Sequence, residues 1–376
     1  MQESSRDRDL DFEQQLSWAR KQMPLVKRGL SQLPDLRGVR LACSMHLEIK
    51  MIPLLEGLMD RGASVFLTTC NPKTVCGKTI TYLNQKGATV EAWYGMSHAD
   101  AESSYRKALL WEPTHLCEMG ADLSVALSHS KNAHPNIRAG MEATGTGISR
   151  LKNIPLSYPI FNWDDVPLKE GIHNRHMVGV MTWHAFLNRT GLTLHGKRVA
   201  VIGYGLVGAG VAAMARAYGG SISVVEKDPV RAVKAGFAGW DVKTLDQALS
   251  ESDVIVTATG CASVLRSEHF GKMKNGAFLI NVGHHAVEID IDALLKNPHQ
   301  EVLPYVKEVM LGQNSVYLFA EGSMANLVAG KGDSYNAFDV ILAIMIGGIQ
   351  HIVGDGAKAA PGVHLLPMEK VTKTFL

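Results

Sequence analysis

Gly203-Tyr204-Gly205-Leu206-Val207-Gly208, with Glu226 beyond it, is the group of residues whose spacing most directly suggests chemistry. The G-x-G-x-x-G lies between a short apolar run, Lys197 to Ile202, and an Ala-rich helical stretch, Val211 to Tyr218, as a dinucleotide clamp requires. Gly203 permits the tight turn, Gly205 lets the backbone approach a pyrophosphate, and Gly208 lets helix pack close on strand, so that the helix N-terminus can hold the phosphates. A second strand, Ser221 to Val225, delivers Glu226 about twenty residues past the glycines, where a carboxylate accepts hydrogen bonds from a ribose diol. Its charge would meet a 2′-phosphate unfavourably, so the expected cofactor is NAD and not NADP. The alternative is a glycine-rich turn that holds no nucleotide. Strand, glycines, helix, strand and acid in one register argue against it.

Elements that must position this clamp surround it. Val254 to Val256, Ala277 to Asn281 and Val316 to Phe319 read as further strands. Thr257 to Gly260, Val282-Gly283-His284 and Ala320-Glu321-Gly322 each follow a strand end, where an open parallel sheet faces its ligand. Upstream, strands at Val39 to Ser44, Ala63 to Thr69, Thr89 to Tyr94, His115 to Glu118 and Ser157 to Asn162 alternate with helices at about 48–61 and 101–110. The fold class expected is α/β, with two doubly wound domains. Residues 179–335 form the Rossmann NAD-binding domain. Residues 1–178 and 336–376 form a discontinuous substrate domain, the apolar helix after Asn336 returning the chain to it.

The composition narrows the class of protein. A chain of 376 residues is long enough for two domains, and 46% hydrophobic with 20% charged residues is a globular balance. With 38 basic against 36 acidic residues, nothing favours nucleic acid or a membrane surface as partner. Five scattered cysteines, without paired C-x-x-C spacing, predict buried thiols in a reducing, cytoplasmic setting and neither a disulfide framework nor a metal site. The polar start does not resemble a signal peptide. The most apolar run, Val340 to Ile349, is expected to be a buried helix too short to span a bilayer.

Several longer patterns resemble the S-adenosylhomocysteine hydrolase family, from about Val39 to Leu365-Leu366-Pro367. Its G-Y-G-x-V-G-x-G is Gly203 to Gly210, its T-x-T-G-C is Thr257 to Cys261, its N-x-G-H-x-x-x-E-I-D is Asn281 to Asp290, and its A-E-G-x-x-x-N-L is Ala320 to Leu327. The resemblance implies a tightly held NAD that is used and regenerated in each turnover. Oxidising the 3′ hydroxyl of a nucleoside makes the C4′ proton acidic, the 5′ substituent leaves by β-elimination, water adds, and the ketone is reduced again. By the same resemblance Gly205, Val207 and Gly208 take the phosphates and Glu226 the ribose. Thr257, Thr259, Gly283, His284 and Asn326 surround the nicotinamide end, Thr144 and Thr146 reach the cofactor from the first domain, and Arg231 borders the adenine pocket.

On the substrate side the chain departs from that pattern. L-H-M-T-x-E keeps its His as His46, but its Thr and Glu are Glu48 and Lys50. D-D-G-G-D is Glu118-Met119-Gly120-Ala121-Asp122, and E-E-T-T-T-G is Glu142-Ala143-Thr144-Gly145-Thr146-Gly147. K-x-K-F-D-N is Lys169-Glu170-Gly171-Ile172-His173-Asn174, so the Lys and Asp that handle the oxidised hydroxyl are Gly171 and His173. The later G-H-P is Gly332-Asp333-Ser334. A family tail whose Lys and Tyr reach a neighbouring subunit's NAD has no counterpart before Leu376, which weakens the implied homo-oligomeric contact at the cofactor.

An intact NAD shell beside a rebuilt sugar shell leads to a nucleoside dehydratase or lyase as the first expectation. In that reading His46 is the leaving-group acid, His173 with Asn174 serves the sugar hydroxyl, His284 sits by the nicotinamide, and Lys169 or Glu142 supplies the missing charge. The alternatives are an ordinary S-adenosylhomocysteine hydrolase and a non-catalytic NAD-binding regulator. His46 as a satisfied structural histidine, His173 as a hinge residue, Glu142 and Glu118 as solvated or capping acids, and Asp122 as a loop brace are the corresponding structural alternatives.

Overall fold

The computed structural model describes residues 11–130, 136–283, 286–372 and 375; His284 lies outside them. The chain forms two compact units, Met1–Lys169 with Tyr335–Leu376, and Glu170–Ser334. The division falls after Lys169 and not after residue 178. The π-helical run Glu170–Met177 packs on the helix Leu206–Ala217 of the second unit. That approach depends on Gly210, where a Cβ would lie 2.0 Å from the carbonyl oxygen of Arg175.

In the first unit, strands β1 (Arg40–Ser44), β2 (Ser64–Thr68), β3 (Thr89–Val90), β4 (His115–Glu118), β5 (Ala139–Glu142) and β6 (Pro159–Asn162) pair in parallel. The order across the sheet is β6-β5-β4-β1-β2-β3, with Gly362–Leu365 added beside β6. The winding direction reverses between β1 and β4, so the ligand crevice of this sheet is expected at the loops after Ser44 and Glu118. β4, β5 and β6 are buried at every position, the signature of parallel strands covered on both faces.

Helix Tyr335–Ile352 has 18 residues, longer than the apolar run suggested and long enough by length and composition to cross a membrane, yet it is 67% buried within the protein. It serves as a core helix. Its Asp339 accepts the backbone N–H groups of Leu25 (3.0 Å) and Val26 (2.8 Å), donors that the first turn of Pro24–Gln32 cannot satisfy internally. Burial pushes the Asp339 carboxyl up, and these two donors oppose that shift.

In the second unit β7 (Arg198–Ile202), β8 (Ser221–Val225), β9 (Asp241–Val242), β10 (Val254–Thr257), β11 (Ala277–Asn281), β12 (His299–Leu303), β13 (Val306–Leu311) and β14 (Asn314–Phe319) form one sheet, ordered β12-β13-β14-β11-β10-β7-β8-β9. Its winding reverses between β7 and β10. β12 to β14 pair antiparallel; the strand signals indicated Val316 to Phe319 in β14 but neither β12 nor β13. The helix after β7 begins at Leu206, ahead of the Ala-rich stretch, so Val207 and Gly208 lie in its first turn.

Candidate active site and cofactor cradle

The turns after β7 and β10 meet at the reversal point of the second sheet. Gly203 has φ +97°, and a Cβ there would approach the Ala258 carbonyl oxygen to 2.6 Å. Gly208 faces Gly203 so closely that a Cβ would stand 1.9 Å from its oxygen. Gly205 differs. Its φ of −72° suits any residue, and the nearest atom to a Cβ is Arg231 Nη1 at 3.8 Å. The first two glycines are therefore consumed by packing, whereas the third leaves room at a helix N-terminus, where an anion gains from unpaired N–H groups. Glu226, at the end of β8, accepts from Tyr204 N–H (2.7 Å) and Asp228 N–H (2.9 Å), which fixes its carboxylate beside the glycine turn. Val207 is half-buried and the Arg231 side chain exposed.

Buried polar side chains lace the remaining turns together. Thr257 donates to Asn281 Oδ1 (3.2 Å), which also accepts from Gly283 N–H (2.8 Å), while Asn281 Nδ2 donates to the Gly322 carbonyl (2.9 Å). Glu288, 1% exposed, accepts the Thr259 N–H (2.9 Å), the Thr259 hydroxyl (2.7 Å) and the Gly260 N–H (2.8 Å). Thr259 thus reaches any cofactor by its methyl or its oxygen lone pair, its proton being committed. Asn326 is 3% exposed, and among the described residues its Oδ1 is buried without a hydrogen-bond partner. A buried acceptor left unpaired costs about 1–3 kcal/mol. The amide N–H of a bound carboxamide is the type of donor that would relieve it.

In the first unit His46 follows β1 and is half-buried. Thr74 donates its hydroxyl proton to the Asn71 carbonyl (2.7 Å), so its oxygen accepts from His46 Nδ1 at 2.9 Å. The neutral ring is thereby held as the Nδ1–H tautomer, with the Nε2 lone pair as its acceptor. Cys70 Sγ lies 3.7 Å from Nδ1.

Other charged candidates in this unit are spent internally. Glu142, 1% exposed, accepts Gly120 N–H (2.9 Å), Ala121 N–H (2.8 Å), Thr144 N–H (2.7 Å) and the Thr144 hydroxyl (2.7 Å). Burial and then the neighbouring Glu118 push its carboxyl up to about 8, against the pull of those donors. In this geometry Glu142 braces two loops. Glu118 accepts Leu123 N–H (2.6 Å) and Ser124 N–H (3.2 Å) at the start of helix Asp122–Ser128, and burial raises it to about 7. Asp122 is tied to Arg150 (2.7 Å) and Ser44 (3.2 Å).

Lys169, expected as a substrate charge, is 6% exposed, donates to the Ala143 carbonyl (2.6 Å) and pairs with Asp164. Thr144 caps helix Gly145–Leu151 through Gly147 N–H (2.9 Å), and Thr146 is half-buried. Glu48 and Lys50 pair at 3.1 Å. Cys43 and Cys117 are buried and Cys70 and Cys76 half-buried, but Cys261 is exposed, contrary to the expectation of a buried thiol.

His173 belongs to the second unit, on the π-helical run, a helix form frequent at functional sites. Its Nδ1 lies 2.5 Å from Asp333 Oδ2, and Asp333 is 5% exposed. Asn174 is half-buried beside it in sequence, and Gly171 is exposed. His46 and His173 lie in different units.

Comparison with known proteins decides the family. Residues 184–332 match the model of the S-adenosyl-L-homocysteine hydrolase NAD binding domain, and residues 13–145 match that of S-adenosyl-L-homocysteine hydrolase. The S-inosyl-L-homocysteine hydrolase of Methanopyrus kandleri is 32% identical over 367 residues, covering 94% of this chain and 86% of that one. That of Methanocaldococcus jannaschii is 33% identical over 369 residues (95% and 89%), and the adenosylhomocysteinase of Aeropyrum pernix 34% over 361 residues (93% and 87%).

The chain belongs to the S-adenosyl-L-homocysteine hydrolase family.

As a family member it carries an NAD-binding domain, and the cradle fits that group: Gly205 leaves space at a helix N-terminus, and Asn326 offers an unpaired acceptor. Residues that sequence reasoning left without a role organise this cradle. Glu288 and Asn281 stand inside the family pattern Asn281 to Asp290, but only the fold shows them clamping the turn after β10. Asp164, the partner that occupies Lys169, carries no motif at all.

Proposed function

We propose that this chain is an NAD-dependent hydrolase of a nucleoside 5′-thioether, of the S-adenosyl- or S-inosyl-homocysteine type. The observation that carries this reading is likeness along nearly the whole chain to relatives named for both activities, joined to a cradle with an unpaired Asn326 carbonyl. Those relatives favour hydrolysis over the dehydration expected from the altered sugar shell.

NAD, when bound, supplies reversible oxidation of the sugar. The protein's part is placement and proton management. The helix N-terminus at Gly205 would hold the phosphates, Glu226 the ribose diol, and Asn326 the carboxamide, with Thr257 and Gly283 walling the turn. His46, once protonated at Nε2 to the imidazolium, would give that proton to the leaving thiolate as its acid, the Nδ1–H staying on Thr74. Lys169 and Glu142 hold the loops around Ala143 and Thr144 in place and make no contact with the reaction.

A second reading, loss of water from a 5′-hydroxyl nucleoside, is favoured by one observation. Met119, where the family pattern has an acid near the leaving group, is 8% exposed among apolar neighbours. Incubation of the NAD-loaded protein with S-adenosylhomocysteine and S-inosylhomocysteine, followed by a thiol assay, separates the two. Homocysteine release supports hydrolysis. No thiol, with a product lighter by one water from a 5′-hydroxyl nucleoside, selects the dehydratase. A cofactor absorbance that never changes with any nucleoside leaves the non-catalytic regulator.

A further inference from the structure

We infer that His173 and Asp333 form a working imidazole–carboxylate pair, in which His173 Nε2 takes the proton of the sugar hydroxyl being oxidised and Asp333 is the positioning residue. The inference rests on the nucleoside-oxidation reading above and adds to it the group that performs its first proton transfer.

Geometry fixes the roles. An ionised carboxylate only accepts hydrogen bonds, so the contact of 2.5 Å places the ring proton on Nδ1 and the lone pair on Nε2. Asp333 is sunk, its side chain 1% exposed, whereas the imidazole is 25% exposed and can meet a ligand. Among the described residues the bond to Asp333 is the one hydrogen bond shown for the His173 ring. A buried acid behind a partly open imidazole is the arrangement that orients a general base and stabilises the imidazolium once it forms. The ring projects from a π-helical run that opens with Glu170 and the exposed Gly171, where a Cβ would meet nothing within 4 Å. The position where the family pattern has a Lys is therefore open.

The sequence puts this pair at two positions where the family pattern has other residues. At the two positions the family pattern has Asp and His, in K-x-K-F-D-N and G-H-P, and this chain has His173 and Asp333. Taken separately, each change removes a substrate-side group. Since the two side chains touch, the exchange is reciprocal: one acid and one imidazole are retained, with the imidazole transferred from the turn at Gly332 to the π-helical run. In the step itself the hydroxyl proton passes to Nε2 while hydrogen and its electron pair leave carbon for NAD. Ketone, reduced cofactor and an imidazolium facing the Asp333 carboxylate result. Reduction of the ketone later returns the same proton.

The test uses the full-length protein with NAD, as wild type, Asp333→Asn, His173→Asp, Asp333→His and the double exchange His173→Asp/Asp333→His. Ring nitrogen-15 NMR, with the His173 signal assigned by its loss in His173→Asp, should show the Nδ1–H tautomer in the wild type. Rapid mixing with adenosine or inosine, read by reduced-nicotinamide absorbance, should show Asp333→Asn slowed by about 10²–10⁴-fold with nucleoside affinity little changed. The double exchange should recover about tenfold over either single exchange variant. An Nε2–H tautomer in the wild type overturns the proposal. So does Asp333→Asn that reduces NAD at the wild-type rate and only melts earlier, because a stapling ion pair predicts that result. A wild type that never reduces NAD with any nucleoside sinks the oxidation reading itself, a failure distinct from an active wild type indifferent to Asp333.

Discussion

The two sheets reverse their winding in the same way, yet their reversal points are furnished differently. In the NAD-binding unit, Glu288 and Asn281 tie the turns to one another, and what they leave over is a glycine with room and an unpaired amide oxygen at Asn326. In the other unit the charged groups at the corresponding strand ends are used up against their own loops: Glu142 on four donors, Lys169 on Asp164, Asp122 on Arg150. The difference shows that a strand-end acid or base is not a ligand group by position alone. Its existing partners decide.

Removing one member of a buried ion pair is the strongest way to break this contrast. Lys169→Ala should destabilise the protein by about 3–5 kcal/mol, since it removes the buried ammonium that pairs with Asp164 and donates to the Ala143 carbonyl. Urea unfolding measures it, and unchanged stability with lost turnover would return Lys169 to the chemistry. Gly205→Val should fold normally but weaken NAD binding by about 100-fold, ~2.7 kcal/mol, by filling the phosphate approach. Calorimetric titration of stripped protein checks it, and tight binding would move the cradle elsewhere.

The braces themselves should respond alike in both units. Glu142→Gln and Glu288→Gln each turn an amide N–H₂ toward backbone donors and should cost about 1–3 kcal/mol. Only Glu288→Gln should also loosen the cofactor. If Glu142→Gln lowers activity at full stability, Glu142 belongs to the site. Asn326→Ala should leave unfolding nearly unchanged, because among the described residues its oxygen has no partner to lose, and should raise the NAD dissociation constant about 5–10-fold, ~1 kcal/mol.

A pH series gives the gentlest effect. Burial raises the folded-state pKa of Glu118 from 4.5 to about 7, so the folded protein binds more protons than the unfolded chain between those values. Stability should therefore fall as pH rises through that window. Melting curves from pH 5 to 8 should slope less in Glu118→Gln than in the wild type, and parallel slopes would mean that Glu118 is ionised throughout.

Much of the framework was legible because parallel strands covered on both faces leave apolar runs: Arg198–Ile202, Val254–Thr257 and Ala277–Asn281 stand where the runs do. The elements that escaped lack that signal. Ala139–Glu142 is four residues with Gly140 inside, too short to stand out as a run, and all five residues of His299–Leu303 are exposed, so no apolar pattern marks that strand. Thr89 to Tyr94 reads as a strand but pairs only at Thr89–Val90. Gly208 and Gly210 disguise the first turns of Leu206–Ala217, because glycine is a poor helix former and these two are there for close packing. At the site, residue types could be read from motifs, but partnerships could not. Nothing in the order of residues announces that Lys169 is held by Asp164, or that residues as far apart as 173 and 333 touch.

Asp339 and the strand Gly362–Leu365 have a consequence for synthesis on the ribosome. The helix that begins at Pro24 takes its N-terminal anchor from Asp339, and β6, already paired with β5, acquires its second neighbour only when residues beyond 361 emerge. The portion of the molecule translated first is thus completed last, after the inserted nucleotide unit has left the exit tunnel whole. A nascent chain stopped at Ser334 should carry a protease-resistant insert flanked by a digestible beginning.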